Sequence, residues 1–422
     1  MIYKLHKNGS YNIHTIQTDK FKTIKMEIIL RNNLRKETIA TRTLLFELLL
    51  ENSKNYKTKR DLILKEEELY NAICYSQSTK LGNEILSSIN IEFLNPKFTK
   101  ENYLKEAIKL PFDLLFNPNV KDNEFDLDTI NIIKKRMKAE LSSINEDPKK
   151  SAIRDALVNM DESSISSVNI IGSEKDIDSI TPSSVYQEYE YIINHDYVDI
   201  FIIGDFDENK VIDYINKFAN FKTLKNHDIS LFIDNKTRNK VKETKEKKEV
   251  AQSQIVYIYN TVSLTEYERK YSMQLYNMIL GGGSLSTKLA QNLREKNSLC
   301  YNVQSIYNKY DNLLIITTSV DKANINKTKK LIESSVSDMM KKITDEELVH
   351  AVNGCISSIN LSLDDQGRII DNYLFNYMAE LDSIDERIDN YKRITTEEVK
   401  KLGKKVKLNS IYILEGDNHE EN

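Results

Sequence analysis

The chain carries one long internal repeat, and a repeat of that length constrains the architecture before any single residue is considered. The segment Ala139-Glu-Leu-Ser-Ser-Ile-Asn145, followed by an acidic turn and a helix ending at Asn159-Met160, returns as Cys355-Ile-Ser-Ser-Ile-Asn360. A second acidic turn and a helix ending at Tyr377-Met378 follow it, displaced by roughly half of the 422 residues. Farther on, Ile180-Thr-Pro-Ser-Ser-Val185 opens a helix leading into the strand Ile200-Phe-Ile-Ile-Gly-Asp205. Its counterpart, Ile394-Thr-Thr-Glu-Glu-Val399, leads into Ile411-Tyr-Ile-Leu-Glu-Gly416. Thr181 and Thr395 are placed to cap these helices and Pro182 suits a first turn, while the terminal strands are β-branched and aromatic.

Each copy therefore reads strand, long helix, strands, helices, strand, with a hairpin predicted from Leu299 to Lys309 and Asn312 to Val320 around Tyr310-Asp311. The fold class is α+β: two tandem homologous domains, each a mainly antiparallel sheet packed with helices. Residues 235–249, NKTRNKVKETKEKKE, are almost wholly polar with dense mixed charge, as expected of a solvated linker. The expected division is an N-terminal domain at 1–225, a charged linker at 226–249 and a C-terminal domain at 250–422.

Composition excludes several classes of function. Lys+Arg 60 against Asp+Glu 64 leaves a net charge of −4, so no global field steers the chain toward nucleic acid or an anionic membrane. The Tyr-rich stretch from Tyr186 to Tyr197 lacks the basic stripe that base stacking requires, and reads as core. The three cysteines, Cys74, Cys300 and Cys355, are far apart and have no CxxC spacing, which fits a reducing, cytoplasmic setting. Neither a secretory h-region at the N-terminus nor an apolar run long enough to span a bilayer is present in the sequence. Cys300 has no adjacent base to make a thiolate nucleophile. Asp364-Asp365-Gln-Gly367 lacks the remaining ligands of a calcium loop and reads as a turn.

The most distinctive string is Gly281-Gly-Gly-Ser284-Leu-Ser-Thr-Lys-Leu-Ala-Gln-Asn-Leu-Arg294-Glu-Lys-Asn-Ser-Leu-Cys-Tyr301, after an amphipathic helix around Tyr267 to Leu280. Three glycines terminate a helix and allow another backbone to approach closely. Ser284 is placed to cap the next helix. A phosphate loop is excluded because no GxxxxGK[ST] follows a strand.

At this string the sequence resembles the pitrilysin/insulinase family of zinc peptidases, the group that includes the mitochondrial processing peptidases. The resemblance extends to Ile203-Gly-Asp-Phe206 and to the region from Leu141 to Pro148, and so to nearly the whole chain. It implies two pitrilysin/LuxS-like domains. In that family an Arg and a Tyr seven residues apart contact substrate backbone near the scissile bond. Arg294 and Tyr301 match that spacing, and Gly281, Gly282 and Gly283 match the family's glycine-rich turn. Chemically the pair is apt: a guanidinium donates several hydrogen bonds to carbonyls, and a phenol donates to a developing oxyanion.

The family's zinc site is an HxxEH motif on the first long helix, where two imidazoles share one face and the Glu activates water. None of the six histidines, His6, His14, His195, His227, His350 and His419, has a partner at that spacing. At the matching helix stands Thr43-Leu-Leu-Phe-Glu47-Leu-Leu-Leu50, so Leu44 and Leu48 replace the imidazoles, Glu47 matches the general base and Glu140 the third ligand. Two carboxylates alone make a poor zinc site.

In the family's two-chain members, a zinc-free subunit supplies the Arg and Tyr to a zinc-bearing partner. Through Phe21-Lys-Thr23 and Thr41-Arg-Thr-Leu-Leu45 the chain resembles the zinc-free member of the paired pitrilysin-like proteins of Gram-positive bacteria. The resemblance thus implies a non-catalytic subunit of a heterodimeric metallopeptidase that cleaves extended peptides, with no metal or other cofactor of its own and zinc on the partner. Three alternatives stay open: a peptidase-like scaffold with no proteolytic role, an independent hydrolase with an unusual metal at Glu47 and Glu140, and a homodimer.

Overall fold

The computed structural model describes residues 1–222 and 228–416. His227, His419 and the expected boundary between residues 225 and 226 lie outside the described residues. The chain divides into two compact units, residues 1–142 with 169–231, and residues 143–168 with 232–422.

The first unit begins with strands β1 (Ile2–Asn8), β2 (Tyr11–Gln17) and β3 (Thr23–Asn33), then helices α1 (Ile39–Leu48) and α2 (Lys59–Glu68). The hairpin β4 (Ile73–Leu81) and β5 (Glu84–Leu94) leads to α3 (Leu104–Phe116), the small hairpin β6 (Val120–Lys121) and β7 (Glu124–Phe125), and the long helix α4 (Leu127–Glu146). After α5 (Pro148–Met160) come α6 (Glu174–Ser179), α7 (Pro182–His195), β8 (Tyr197–Gly204) and α8 (Glu208–Phe218). Then follow β9 (Lys242–Lys247), β10 (Ser253–Thr261), α9 (Met273–Gly281), β11 (Val303–Asn308), β12 (Leu313–Val320), α10 (Ile325–Lys341) and α11 (Asp345–Ser362). The chain closes with α12 (Gln366–Ala379), α13 (Ile384–Arg393), α14 (Thr396–Leu402) and β13 (Val406–Glu415).

The sheets give the repeat its physical form. Strand order in the first unit is β1-β2-β8-β3-β5-β4, and in the second β11-β12-β10-β13-β9. Read in the opposite direction, β9-β13-β10-β12-β11 matches β2-β8-β3-β5-β4 in order and pairing sense. Both contain one parallel pair, β2 with β8 and β9 with β13, among antiparallel neighbours. The α+β class with mainly antiparallel sheets is thus the observed one.

Two readings of the sequence need correction. The stretch at 235–249 is not wholly a solvated linker, since Lys242–Lys247 within it is the edge strand β9, paired along β13. Five of its six residues are exposed, and an edge strand lined with Lys and Glu resists further strand pairing. Charge at a sheet edge and charge in a linker look alike in sequence. Moreover, residues 143–168 belong to the second unit, because α5 packs on that unit's sheet. Ala152, Ala156 and Met160 of α5 pack with Val256, Ile258, Leu313, Ile315, Tyr412 and Leu414. All nine residues of β10 are buried, because alternate residues serve two cores. Val256 and Ile258 face α5, while Ile255, Tyr257 and Tyr259 join the larger cluster containing Leu280, Leu289 and Leu293.

The expected helix starts are present. Thr181 accepts from the Ser184 amide and Thr395 from the Glu398 amide, each within a reciprocal capping box.

A buried charge network ties the strands of the first unit. The Arg31 Nε donates to Asp199 at 2.9 Å and its Nη1 to Glu84 at 3.2 Å, while His14 meets the other Asp199 oxygen at 3.1 Å. His14 stacks on Phe201 at 4.0 Å and, like Asp199, has no solvent exposure. Burial pushes the Asp199 carboxyl up, but the His14 hydrogen bond and the Arg31 charge outweigh it and hold it at about 2.

A carboxylate depressed in the folded state adds stability that is complete above its unfolded titration and is lost as pH falls through its folded one. Glu84 has the opposite sign, since burial raises it despite Arg31. Asp199→Asn should therefore lower unfolding free energy by about 3 kcal/mol at pH 7, the cost of breaking a buried pair. In urea titrations the gap from wild type should shrink between about pH 4 and pH 2; a gap independent of pH would contradict this assignment. Ala156→Leu should cost about 1–3 kcal/mol in the same assay, because α5 lies against the sheet through small side chains.

Candidate functional site

The glycine string turns the chain out of α9 and onto a short helix. Gly281, the last residue of α9, is buried, and a Cβ on it would lie 2.9 Å from the Ser305 amide nitrogen of β11 and 2.7 Å from Leu289. Only a glycine lets the helix and strand meet there. Gly282 caps the helix, and Gly283 has φ +99, a conformation that favours glycine. Its amide donates to the Gly281 carbonyl at 2.9 Å.

Ser284 does not cap the following helix as the sequence suggested. Its hydroxyl accepts from Ser286 within the turn, and the cap is Thr287, whose side chain accepts from the Ala290 amide at 3.3 Å. The glycines extend the turn, so the cap falls three residues later than expected. The helix then widens to a π-helical turn over Ala290–Glu295, with Ala290 and Leu293 buried and Arg294 on its open side. The helix at 267–280 is likewise composite, with a π turn at Glu268–Ser272 before α9.

Arg294 and Tyr301 are brought together. The chain leaves the helix through Ser298, at φ 50, whose amide donates to the Arg294 carbonyl at 2.9 Å, and Leu299 reaches back to Leu293 at 2.9 Å. That reversal returns Tyr301 to the helix, with the Arg294 guanidinium 4.9 Å from the centre of its ring. Tyr301 is 84% exposed and precedes β11 rather than starting it. The Arg294 side chain is 35% exposed, with a 3.4 Å contact to Glu295. A cation over a phenol face at an exposed site contributes about 0.5–1 kcal/mol, which biases the two side chains toward this arrangement. Cys300 between them is buried, and burial raises its thiol against the pull of Thr318 and Arg294, so it is not a poised nucleophile.

In the first unit, Leu44 and Leu48 of α1 are core residues, 0% and 2% exposed. Glu47, between them, is half-buried. Burial pushes its carboxyl up, Arg136 pulls it down, and Glu140 and Glu51 add to the rise. Glu140, which is exposed, thus acts on Glu47 electrostatically. Sequence reasoning missed Arg136, which donates to Glu51 at 2.8 Å. Its signal was the four-residue spacing of Glu47 from Glu51 and of Arg136 from Glu140, which sets each pair on one helical face.

These residues do not fit a zinc ion. Two of the four positions are buried hydrocarbon, and a guanidinium already neutralises carboxylate charge beside them. Among the described residues no group of three or more His, Cys, Asp or Glu is arranged to hold a metal. No described helix is long and apolar enough to cross a membrane.

Comparison with known proteins agrees with this geometry. The family described as the Peptidase M16 inactive domain matches residues 179–355. The probable inactive metalloprotease YmfF of Bacillus subtilis is similar over 417 residues, 97% of each chain, at 26% identity. The crystal structure of a conserved protein from Enterococcus faecalis superposes with a TM-score of 0.93 at 26% identity, covering 99% of this chain and all of that one. A peptidase M16 inactive domain from Pseudomonas fluorescens shares the fold, with a TM-score of 0.79 at 16% identity over 99% of both chains. Residues 179–355 therefore match the Peptidase M16 inactive domain, and over nearly its whole length the chain is similar to M16-like peptidase homologues, the probable inactive metalloprotease among them.

Proposed function

We propose that the chain is the non-catalytic subunit of a heterodimeric zinc peptidase, supplying substrate-backbone contacts to an active site whose metal is held by a zinc-bearing M16 partner. The observation that carries this reading is the Arg294–Tyr301 pair, its guanidinium 4.9 Å from the ring centre and presented on the surface, while Leu44 and Leu48 stand at the matched imidazole positions of α1. A chain serving only as a scaffold has no need to hold an exposed tyrosine against an arginine.

The roles follow from the donors. Arg294, always charged, directs its N–H groups at carbonyl oxygens of an extended peptide and holds that backbone in register. Tyr301 donates its phenol proton in a hydrogen bond to the oxygen that gains charge as the scissile carbonyl becomes tetrahedral. Zinc on the partner would supply the activated water. The glycine turn leaves room for peptide backbone beside the short helix. Cytoplasmic location accords with three buried, unpaired cysteines.

Mixed with its zinc-bearing partner, the Arg294→Ala chain should lower kcat/KM on an unstructured peptide by about a hundredfold, and Tyr301→Phe should lower kcat by about tenfold or more. Size-exclusion chromatography should show unchanged assembly, since neither side chain is part of the core. Full activity with both variants would favour the scaffold reading instead.

A further inference from the structure

Behind the Arg294 helix lies a cavity of about 540 Å³, within the range of ligand pockets, about 300–1,000 Å³. All its walls belong to the second unit. Its floor is apolar: Met278 and Ile279 of α9, and Ala351 and Gly354 of α11. Gly354 leaves room for the Met278 methyl, which would lie 2.8 Å from a Cβ placed there. Its rim is polar, formed by Ser284 and Ser286 of the glycine turn, Gln291, and Glu346 and His350 of α11.

The charges at the rim do not cancel. Glu347 is engaged twice, by the Lys288 ammonium at 2.7 Å and the Thr344 amide at 2.8 Å. Glu346, beside it, has no ion pair or hydrogen bond among the described residues and is exposed. Glu346 lies in the first turn of α11, where the helix terminus offsets part of its charge, but no side-chain cation among the described residues meets it above the apolar floor. Gln291, at the cavity, and Arg294 belong to the same π-helical turn, less than one turn apart, so a peptide held at Arg294 would pass within a side chain's reach of the cavity.

We propose that this cavity is a subsite for a basic side chain of the bound peptide, arginine or lysine, whose methylenes lie on Met278 and Ala351 while its cationic tip meets Glu346. The arrangement matches a side chain that buries its stem and keeps its charge at the rim. The serine hydroxyls accept the remaining N–H groups. The subsite deepens the peptide-contact reading and rests on it for the source of the side chain.

Two measurements on the full chain test it. In the first, n-butylguanidinium is titrated against protein labelled with methyl-¹³C methionine, with n-pentanol as the uncharged control. The Met278 methyl resonance should move with butylguanidinium, about tenfold more weakly in Glu346→Gln, the loss expected for one charge-assisted hydrogen bond. In the second, fluorescence anisotropy compares unstructured peptides that differ only in one residue, arginine, norleucine or glutamate. Arginine should bind about tenfold more tightly than norleucine, Glu346→Gln should abolish that ratio, and Arg294→Ala should weaken all three peptides with the ratio kept.

A Met278 signal indifferent to butylguanidinium, or a response unchanged in Glu346→Gln, overturns the subsite. Equal binding of the arginine and norleucine peptides does so as well. A Glu346-dependent response to butylguanidinium with no binding of any peptide, with the zinc-bearing partner absent or present, upholds a cation pocket and overturns the peptide-contact reading alone.

Discussion

The approach of Gly281 to the Ser305 amide is the constraint on which the candidate site depends. Because no side chain stands between them, the end of α9 lies against β11, and the chain that follows must double back close to the sheet. The short helix is then set by Leu289 and Leu293 in the core below it. Ser298 reverses the chain and Tyr301 arrives over Arg294. Arg294 and Tyr301 are placed by packing at one end and by a reversal at the other, so their orientation is a property of the fold and not of surface chance.

The same unit answers a harder demand in its middle strand. β10 is buried along its whole length because its two faces serve different cores, one under α5 and one under α9 and the short helix. Helix α5 comes from the first half of the sequence, so the repeat in the sequence and the compact units in space do not divide at the same place. The first unit shows a different economy: its strands are tied by an Arg31–Asp199–His14 network with little or no exposure. At the α1 positions where the resemblance to zinc peptidases would place metal ligands, hydrocarbon stands, with the Arg136–Glu51 pair nearby. One guanidinium there offsets part of the charge of three carboxylates.

What was legible in the sequence was local or repeated. Thr181 and Thr395 announced their helices because capping depends on neighbours three residues away. The α+β order followed from the repeat, and the Arg294–Tyr301 pair from a resemblance. What was not legible depended on contacts distant in sequence. β9 read as a linker because its pairing with β13 lies more than 160 residues away, and an edge strand's charges carry no mark of that pairing. Thr287 rather than Ser284 caps the short helix because the glycines extend the turn. Arg136 meets Glu51 across 85 residues, and the cavity beside the glycine turn is formed by α9 and α11, which are distant in sequence.

The central claim is that this chain contributes donors, not metal, to a shared peptidase site. Peptidase activity on an unstructured peptide, with zinc content, measured for this chain alone, for a zinc-bearing M16 partner alone and for the two together, tests it most directly. The account predicts activity in the mixture only, with zinc on the partner only. Cleavage by the isolated chain with stoichiometric zinc would contradict it, as would a partner equally active without this chain.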